Sequence, residues 1–334
     1  MFVSGCLRAV GLLLVGVSVL AALPPAAGQQ ERYRERQVLD PESDEWIAQP
    51  PQEQAVPAGP LDEARRLLAE GRPRRAYKLL KRWVKDNPDD ERYFEGVYLL
   101  GEAEFARGRY YQAYENYEQV VESASGELFD KALRREMDVA RAFLAGQKRI
   151  VWGFLRLPAY DDGIEILDRI WERVPGTALG EEALKLKADH FFAVGDVDLA
   201  QDEYVNLVRE YPGGRYLQLA MLRAAEAAEA AFPGIHFDDR ALLDAAERYS
   251  RVLQMFPGLA EREQVADRID GIRQLRAEKD LSIARWYQRT GHPEAAEFYY
   301  RLVLRDWPQT LAAAEARQGL IALGVELPAE EQQP

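Results

Sequence analysis

Cysteine and histidine are the residues that this sequence has least of. Its 334 residues include one cysteine, Cys6, and three histidines, His190, His236 and His292. Because Cys6 lies near the N-terminus in an apolar segment, the remaining chain can form no disulfide, cysteine-ligated zinc site or thiol nucleophile. The histidines lack the spacing of a zinc-binding helix, and no GxSxG motif or phosphate-binding loop occurs. We therefore predict that the protein is not an enzyme and has no metal or cofactor.

Basic residues are outnumbered by acidic ones. The chain has 43 Lys and Arg against 56 Asp and Glu, which gives a formal net charge of −13. Nucleic-acid binding requires clustered basic residues that neutralise phosphates, so this balance argues against a nucleic-acid partner. Hydrophobic residues make up 47% of the sequence, a proportion that is ordinary for a folded helical protein.

What the sequence has in quantity is a repeated spacing of small, aromatic and proline residues. Near the C-terminus, Gly291 is followed by Ala296, Tyr300 and Pro308. The same marks recur, wholly or in part, at Gly71, Ala76, Leu80 and Pro88; Gly108, Ala113 and Tyr117; Gly163, Leu167 and Pro175; Gly195, Ala200, Tyr204 and Pro212; and Ala245, Tyr249 and Pro257. Twelve positions before the alanine lies another small residue, at Ala64, Gly101, Ala188 and Ala284.

Each mark in this spacing has a physical meaning. The glycine can adopt the left-handed conformation that ends a first helix, and the proline ends a second helix. The small residues allow paired helices to approach closely, and the aromatic residue lies on the same helical face as the alanine four positions before it. This is the tetratricopeptide pattern. We predict an all-α, tetratricopeptide-type α-solenoid of about six helical hairpins with a C-terminal capping helix, without strands, and with one long helical stretch over residues 261–290.

The N-terminal 28 residues have the features of a signal peptide. Arg8 precedes an uncharged apolar run that ends at Leu23, and residues 26–28 are small. A permanent membrane anchor is the alternative, although the run is shorter than the roughly 20 residues of a spanning helix. Cys6 follows Val3, Ser4 and Gly5, the residue types of a lipoprotein processing box, yet nothing long and apolar precedes it. The sequence leaves lipidation open.

The remaining domain limits follow from composition. Residues 29–60 are rich in Pro, Gln and Glu and predict a flexible linker. The repeats predict a solenoid over residues 61–324. The segment 325–334, which contains three glutamates, predicts a disordered tail.

Aromatic residues are concentrated in the second predicted hairpin. Tyr98, Phe105, Tyr111 and Tyr114 fall there within seventeen positions. One interpretation is that they form the core of the hairpin. The other is that they line a peptide-binding face, because aromatic anchors are common in recognition pockets.

A segment without helical periodicity interrupts the third hairpin. Residues 148–160, KRIVWGFLRLPAY, place Trp152, Phe154 and other apolar residues beside three basic ones. The segment either folds back on neighbouring helices or forms an exposed loop that contacts a partner or lipid headgroups. In the second case Trp152 and Phe154 are candidate binding residues and the protein makes a peripheral membrane contact.

The C-terminal third resembles a known family. The residues that carry the resemblance are Ala284, Arg285, Trp286, Tyr287, Gly291, Ala295, Ala296, Tyr300, Val303, Leu304, Trp307, Pro308 and Thr310, together with Gly195, Tyr211, Pro212 and residues 215–222. This part is similar to the last and middle repeats of the BamD (ComL-like) family, lipoproteins of the bacterial outer-membrane β-barrel assembly machine. The resemblance covers residues 175–324, and residues 61–174 more loosely.

The resemblance implies a non-enzymatic, exported scaffold in the periplasm or at the periplasmic face of the outer membrane. Its implied partners are the β-barrel insertase, other assembly-machine subunits and unfolded outer-membrane proteins. For docking a large partner we select Arg285, Trp286 and Arg289 in the last repeat, on the expectation that they are exposed. An alternative is a periplasmic repeat adaptor that coordinates cell-envelope or cell-wall machinery. A cytoplasmic chaperone-type repeat protein would require residues 1–28 not to act as a signal.

Overall fold

The chain divides into two units, residues 1–57 and 58–334. The computed structural model describes residues 37–39, 46–48, 59–151 and 154–326. In the first unit the described residues form an antiparallel pair of short strands, β1 (Gln37–Leu39) and β2 (Trp46–Ala48), with Val38 opposite Ile47. The predicted signal peptide, Cys6 and most of the predicted linker and tail lie outside the described residues.

The described part of the second unit is a succession of fourteen helices. Their bounds are α1 (Pro60–Ala69), α2 (Pro73–Asp86), α3 (Tyr93–Phe105), α4 (Tyr110–Ser123), α5 (Glu127–Leu144), α6 (Tyr160–Arg173), α7 (Ala178–Val194), α8 (Val197–Glu210), α9 (Leu217–Ala230), α10 (Arg240–Met255), α11 (Pro257–Arg262), α12 (Val265–Arg289), α13 (Pro293–Asp306) and α14 (Leu311–Ala322).

These helices form the predicted stack of hairpins. The pairs α1–α2, α3–α4, α5–α6, α7–α8, α9–α10 and α12–α13 each pack side by side, and each hairpin also packs on the next. The last helix, α14, packs on both α12 and α13 and so caps the stack. The prediction of an all-α tetratricopeptide-type solenoid of six hairpins is confirmed.

The repeated residues form the core of each hairpin. The alanines at positions 76, 113, 200, 245 and 296 are fully buried. The large residue four positions later is at most 2% exposed in every hairpin: Leu80, Tyr117, Leu167, Tyr204, Tyr249 and Tyr300. Burying a side chain of this size contributes roughly 1.5–3 kcal/mol. The spacing seen in the sequence is therefore the spacing of the side chains that hold two helices together.

The tyrosines in this position share a second contact. Each hydroxyl donates a 2.6 Å hydrogen bond to a side chain near the end of its hairpin's first helix; the pairs are Tyr117 with Glu102, Tyr204 with Asp189, Tyr249 with Glu229 and Tyr300 with Gln288. Burial raises the pKa of all four tyrosines, so they remain protonated donors. The ring fills the hairpin core while its hydroxyl fixes the register of the two helices.

Two sequence predictions about secondary structure were wrong. Residues 148–160 contain an antiparallel pair of strands, β3 (Lys148–Val151) and β4 (Leu155–Pro158), in which Val151 lies opposite Leu155 and Lys148 opposite Pro158. The stretch over residues 261–290 is not one helix. It is divided between α11 and α12, and Gln264 between them has a left-handed backbone with φ of 52°.

The small residue upstream of the alanine is required by close packing. A Cβ atom at Gly101 in α3 would lie 2.5 Å from a ring carbon of Tyr117 in α4. Contacts this short do not occur, so a side chain at position 101 would push the two helices apart. Gly271 in α12 offers a comparison, because a Cβ there would meet no atom within 4 Å.

We predict that Gly101→Ala lowers the free energy of unfolding by about 1–3 kcal/mol, since it overpacks the hairpin core. Gly271→Ala should leave stability unchanged or raise it by up to about 1 kcal/mol, because alanine is the better helix former. Urea denaturation followed by circular dichroism measures both. Equal effects of the two substitutions would contradict this account of the small position.

A buried glutamate lies where the second and third hairpins meet. Glu136 in α5 is fully buried, and neither of its carboxyl oxygens accepts a hydrogen bond from the described residues. The nearest guanidinium nitrogen of Arg173 is 3.6 Å away and is engaged with Glu118, which accepts a 2.6 Å hydrogen bond from it. Burial, followed by the neighbouring Glu118, raises the pKa of Glu136 to about 9. Glu136 is therefore neutral at physiological pH.

This carboxyl should make stability depend on pH. In the unfolded chain Glu136 ionises near its ordinary value of 4.5, whereas in the fold it stays protonated up to about 9. Folding takes up a proton between these values, so the stabilisation is complete at low pH and is lost as the pH rises. Relative to Glu136→Gln, the natural protein should lose up to about 1.4 kcal/mol per pH unit between about pH 6 and pH 8.

Denaturant titrations at several pH values test this difference. The exposed Glu122→Gln in α4 serves as the control and should run parallel to the natural protein. A constant difference between the natural protein and Glu136→Gln at all pH values would show that Glu136 is ionised in the fold.

Candidate protein-binding site

The C-terminal half of α12 lines the candidate site. Together with the loop between α9 and α10 it borders a cavity of about 480 Å³. The lining residues are Ile235, His236, Glu278, Lys279, Ser282, Ile283, Arg285, Trp286, Tyr287 and Arg289. Three of these were selected from the sequence, Arg285, Trp286 and Arg289, and the structure brings them to one surface.

Trp286 is the main apolar group of this surface. It is 50% exposed, which is unusual for the largest apolar side chain. Its ring packs edge-on against Tyr287 at 4.8 Å, and Tyr287 stacks on Tyr299 of α13 at 5.5 Å. This row of rings orients Trp286 before any partner arrives, which lowers the entropy cost of using it as an anchor.

The two arginines beside Trp286 differ in their surroundings. Arg285 donates a 2.9 Å hydrogen bond to Glu278 of its own helix and also pairs with Glu315 of α14. Arg289, one turn further on, is exposed, and it has no ion pair among the described residues. Arg285 therefore links the last hairpin to the cap, whereas Arg289 presents its charge to solvent.

A clamp fixes the other side of the cavity. Asp239, directly before α10, accepts hydrogen bonds from Arg276 at 2.8 Å and Lys279 at 3.0 Å, both in α12. Burial alone would raise the pKa of Asp239, but the bonds from Arg276 and Lys279 outweigh it and the pKa is lowered. The ionised clamp holds the loop of residues 231–239 against α12. Exposed Phe237 lies in that loop.

The arrangement supports binding by contact. An exposed indole flanked by guanidinium groups is the composition of interface anchors, where Trp and Arg dominate the binding energy. Within the described ranges, no group of three or more His, Cys, Asp or Glu residues is arranged to hold a metal ion. The apolar and basic side chains that line the cavity complement apolar and acidic side chains in charge and polarity.

The four aromatics of the second hairpin lie on two helices. Tyr98 and Phe105 are in α3 and Tyr111 and Tyr114 are in α4, and all four are buried or half-buried in one core cluster. Burial, with the nearby charge of Glu102, raises the pKa of Tyr98 to about 12. The structure favours the core interpretation, and their role in peptide binding stays a prediction.

Contacts from outside the hairpin cover three of these rings. The Phe105 ring lies 4.2 Å below Arg135, and the Tyr111 ring lies 3.4 Å below Arg149. The Tyr114 hydroxyl accepts a 2.8 Å hydrogen bond from Arg169.

Of the two residues selected in the inserted segment, Trp152 and Phe154, the structure describes one. Phe154 lies directly before β4 and is 78% exposed. Trp152 lies outside the described residues. Neither is near α12 in sequence, and their role in docking a partner also stays a prediction.

Sequence analysis missed several members of the α12 surface. Lys279, Ser282 and Ile283 precede Trp286 by seven, four and three positions, which is the spacing of one helical face. That signal was available. The contribution of Ile235 and His236 could not be predicted from the sequence. The loop that contains them is held in place by hydrogen bonds between residues about forty positions apart.

The hairpins, their buried small and aromatic residues and the exposed aromatic-basic groove define a tetratricopeptide-type interaction scaffold. Residues 192–332 match the family YfiO, described as an outer membrane lipoprotein. The resemblance predicted from the last and middle repeats is thereby confirmed for this part of the chain, which contains the α12 site. No curated protein matches the chain.

Solved structures similar to this chain are also repeat proteins. The C-terminal part of a TPR repeat-containing protein from Cytophaga hutchinsonii is 14% identical, with 79% of this chain and 89% of that chain covered and a TM-score of 0.39. A tetratricopeptide repeat protein from Parabacteroides merdae is 9% identical, with 79% and 97% covered and a TM-score of 0.36. With such low identities and scores, the fold assignment depends on this chain's own hairpins.

Among the described residues, no helix has the length and apolar character needed to cross a membrane. The predicted signal peptide and its alternative, a permanent anchor, both concern residues outside this description.

We predict that Arg285 and Arg289 differ in their effect on stability. Arg285→Glu brings a third carboxylate beside Glu278 and Glu315, so it should lower the free energy of unfolding by about 1 kcal/mol, the size of such surface pairs. Arg289→Glu should change it by less than about 0.5 kcal/mol. Thermal denaturation measures both. Equal stability of the two variants would mean that Arg285 does not link α12 to α14.

Proposed function

We propose that the protein is a non-enzymatic scaffold of the outer-membrane β-barrel assembly machinery that works on the periplasmic side of the outer membrane. In this proposal its α12 groove docks the periplasmic part of the β-barrel insertase. Other subunits of the machinery and unfolded outer-membrane proteins are further candidate partners. The observation that carries the proposal is the coincidence of the groove with the family match, since α12 lies entirely within residues 192–332.

The chemistry of the groove supports a protein partner over a small molecule. The cavity is open, and its most exposed large group, Trp286, projects beside the unpaired charge of Arg289. A partner segment with an apolar residue for the indole and a carboxylate for Arg289 would use both. Because Trp286 is held by the rings of Tyr287 and Tyr299, little ordering is needed on binding.

The proposal is tested by affinity purification of the tagged protein from cell envelopes in mild detergent. We expect the insertase to co-purify with the natural protein. With Trp286→Ala its recovery should fall at least about tenfold, since a buried indole anchor contributes 2 kcal/mol or more. Arg289→Glu should also reduce recovery, and more strongly at low salt, because the charge acts on association.

Matched variants on other faces serve as controls. Phe298→Ala removes an aromatic ring that is 62% exposed on α13, and Arg273→Glu reverses an exposed charge near the middle of α12. Both should leave recovery unchanged. Direct binding of the purified insertase domain to the same four variants then separates direct from indirect contact.

The outcomes distinguish the site from the function. If the insertase co-purifies equally with all variants, the function stands and the α12 site is wrong. If only cell-wall or division proteins are recovered, and their recovery depends on Trp286, the site is a docking groove and the protein is an envelope adaptor. The N-terminal peptide of the purified protein shows in the same experiment whether it begins near Gln29 or carries a lipid on Cys6.

A further inference from the structure

Exposed large apolar residues are concentrated in and directly after the inserted hairpin β3–β4. All four residues of β4 are exposed. Phe154 is 78%, Leu157 42% and Leu155 38% exposed, and Tyr160 just beyond β4 is 43% exposed. Four exposed large apolar residues thus fall within seven positions, and such concentrations of exposed apolar side chains mark interaction sites.

The opposite face of the hairpin is basic. The strand register places Ile150 opposite Arg156 and Lys148 opposite Pro158, so these side chains share one face. Lys148 and Arg156 line a cavity of about 410 Å³, which Arg107 borders from the turn between α3 and α4. Lys148 and Arg156 have no acidic partner among the described residues, whereas Arg107 is paired with Glu104 at 2.8 Å.

The base of the hairpin is attached to the solenoid. Arg149 donates a 2.8 Å hydrogen bond to Asp162 in α6, and its guanidinium lies 3.4 Å above the ring of Tyr111 in α4. A cation over an aromatic ring and beside a carboxylate is held in one position. The exposed apolar residues and the two unpaired cations are therefore presented in a fixed arrangement.

The charge of the hairpin is opposite to that of the chain. Residues 146–158 contain Lys148, Arg149 and Arg156 and no acidic residue, in a protein whose net charge is −13. A hairpin with leucines on one face and unpaired cations on the other is amphipathic, as are elements that lie at the boundary between acyl chains and anionic headgroups of a lipid surface. The free edge of β4 is poorly suited to adding a peptide strand, because it carries Arg156 and ends at Pro158.

We propose that the β3–β4 hairpin is a membrane-contact element that binds an anionic lipid surface. Phe154 and Leu155 enter the headgroup boundary, and Lys148 and Arg156 bind the anionic headgroups. This contact is separate from the α12 groove, so it orients the scaffold at a membrane whichever protein partner that groove binds.

Sedimentation with lipid vesicles tests the proposal. The full-length protein is mixed with vesicles of phosphatidylcholine alone or of phosphatidylcholine and phosphatidylglycerol in equal parts. All variants keep the same N-terminus, so any binding through that segment is common to them. Lys148→Glu with Arg156→Glu should weaken binding to the anionic vesicles at least about tenfold. Phe154→Ser with Leu155→Ser should weaken it several-fold.

Each change in the hairpin has a control variant with the same kind of substitution in another part of the chain. Arg74→Glu with Lys78→Glu alters the net charge equally on exposed positions of α2. Phe237→Ser removes an aromatic ring that is 61% exposed in another loop. Both controls should bind vesicles as the natural protein does, and circular dichroism confirms that every variant is folded.

A fluorescent dye on the hairpin itself reports its contact with lipid separately from vesicle binding by other parts of the chain. An environment-sensitive dye on Phe154→Cys, in a Cys6→Ser chain, should shift to the blue only with anionic vesicles. Unchanged vesicle binding by both hairpin variants, together with no dye shift, would overturn the proposal. So would an equal loss with the α2 control, which would indicate attraction by net charge alone. If the dye responded to an unfolded barrel peptide but not to vesicles, the hairpin would be a peptide site instead.

Discussion

The contact on which this structure depends is the buried aromatic ring between the two helices of a hairpin. In four of the six hairpins a tyrosine fills this position and donates its hydroxyl to the first helix. The ring supplies apolar burial, and the hydrogen bond supplies direction, so one side chain sets both the distance and the register of its helix pair. Its space is available only because the facing residue is small, as Gly101 shows. Each hairpin then buries its remaining face on its neighbours, as expected of a repeat protein.

Ion pairs join helices that belong to different hairpins. Arg135 of α5 binds Glu102 of α3, and Arg141 of α5 binds Glu182 of α7, which also binds Arg215. These pairs are partly exposed and individually weak, but they connect helices that the tyrosines do not. Glu136 is the exception, because it is buried without a hydrogen-bond donor and is kept neutral by its surroundings. The contacts between hairpins are therefore more sensitive to pH and salt than the hairpins themselves.

The two surfaces assigned a role lie where the repeat departs from regularity. The third hairpin contains β3–β4 between its helices, and the fifth contains the loop that closes the α12 groove. A regular hairpin uses its repeated apolar residues for packing. Extra residues are free of that requirement, and Phe154 and Phe237 are among the most exposed apolar side chains described. We propose that the inserted segments and the face of α12 carry the recognition chemistry, while the repeats position it.

The sequence by itself determined the six hairpins, the capping helix and the identity of the core residues. These features follow from the four- to eight-residue spacing of glycine, alanine, tyrosine and proline, which short-range sterics and helical periodicity convert into structure. Trp286 was expected to be exposed and is, whereas the sequence left open whether Phe154 folds back on neighbouring helices or is exposed, and the structure shows it exposed. Only the tertiary structure decided that Arg285 is paired with Glu315, that Asp239 holds the loop against α12, and that strands form after α5. Each of these outcomes depends on residues from separate elements meeting in space, and local periodicity contains no information about such encounters.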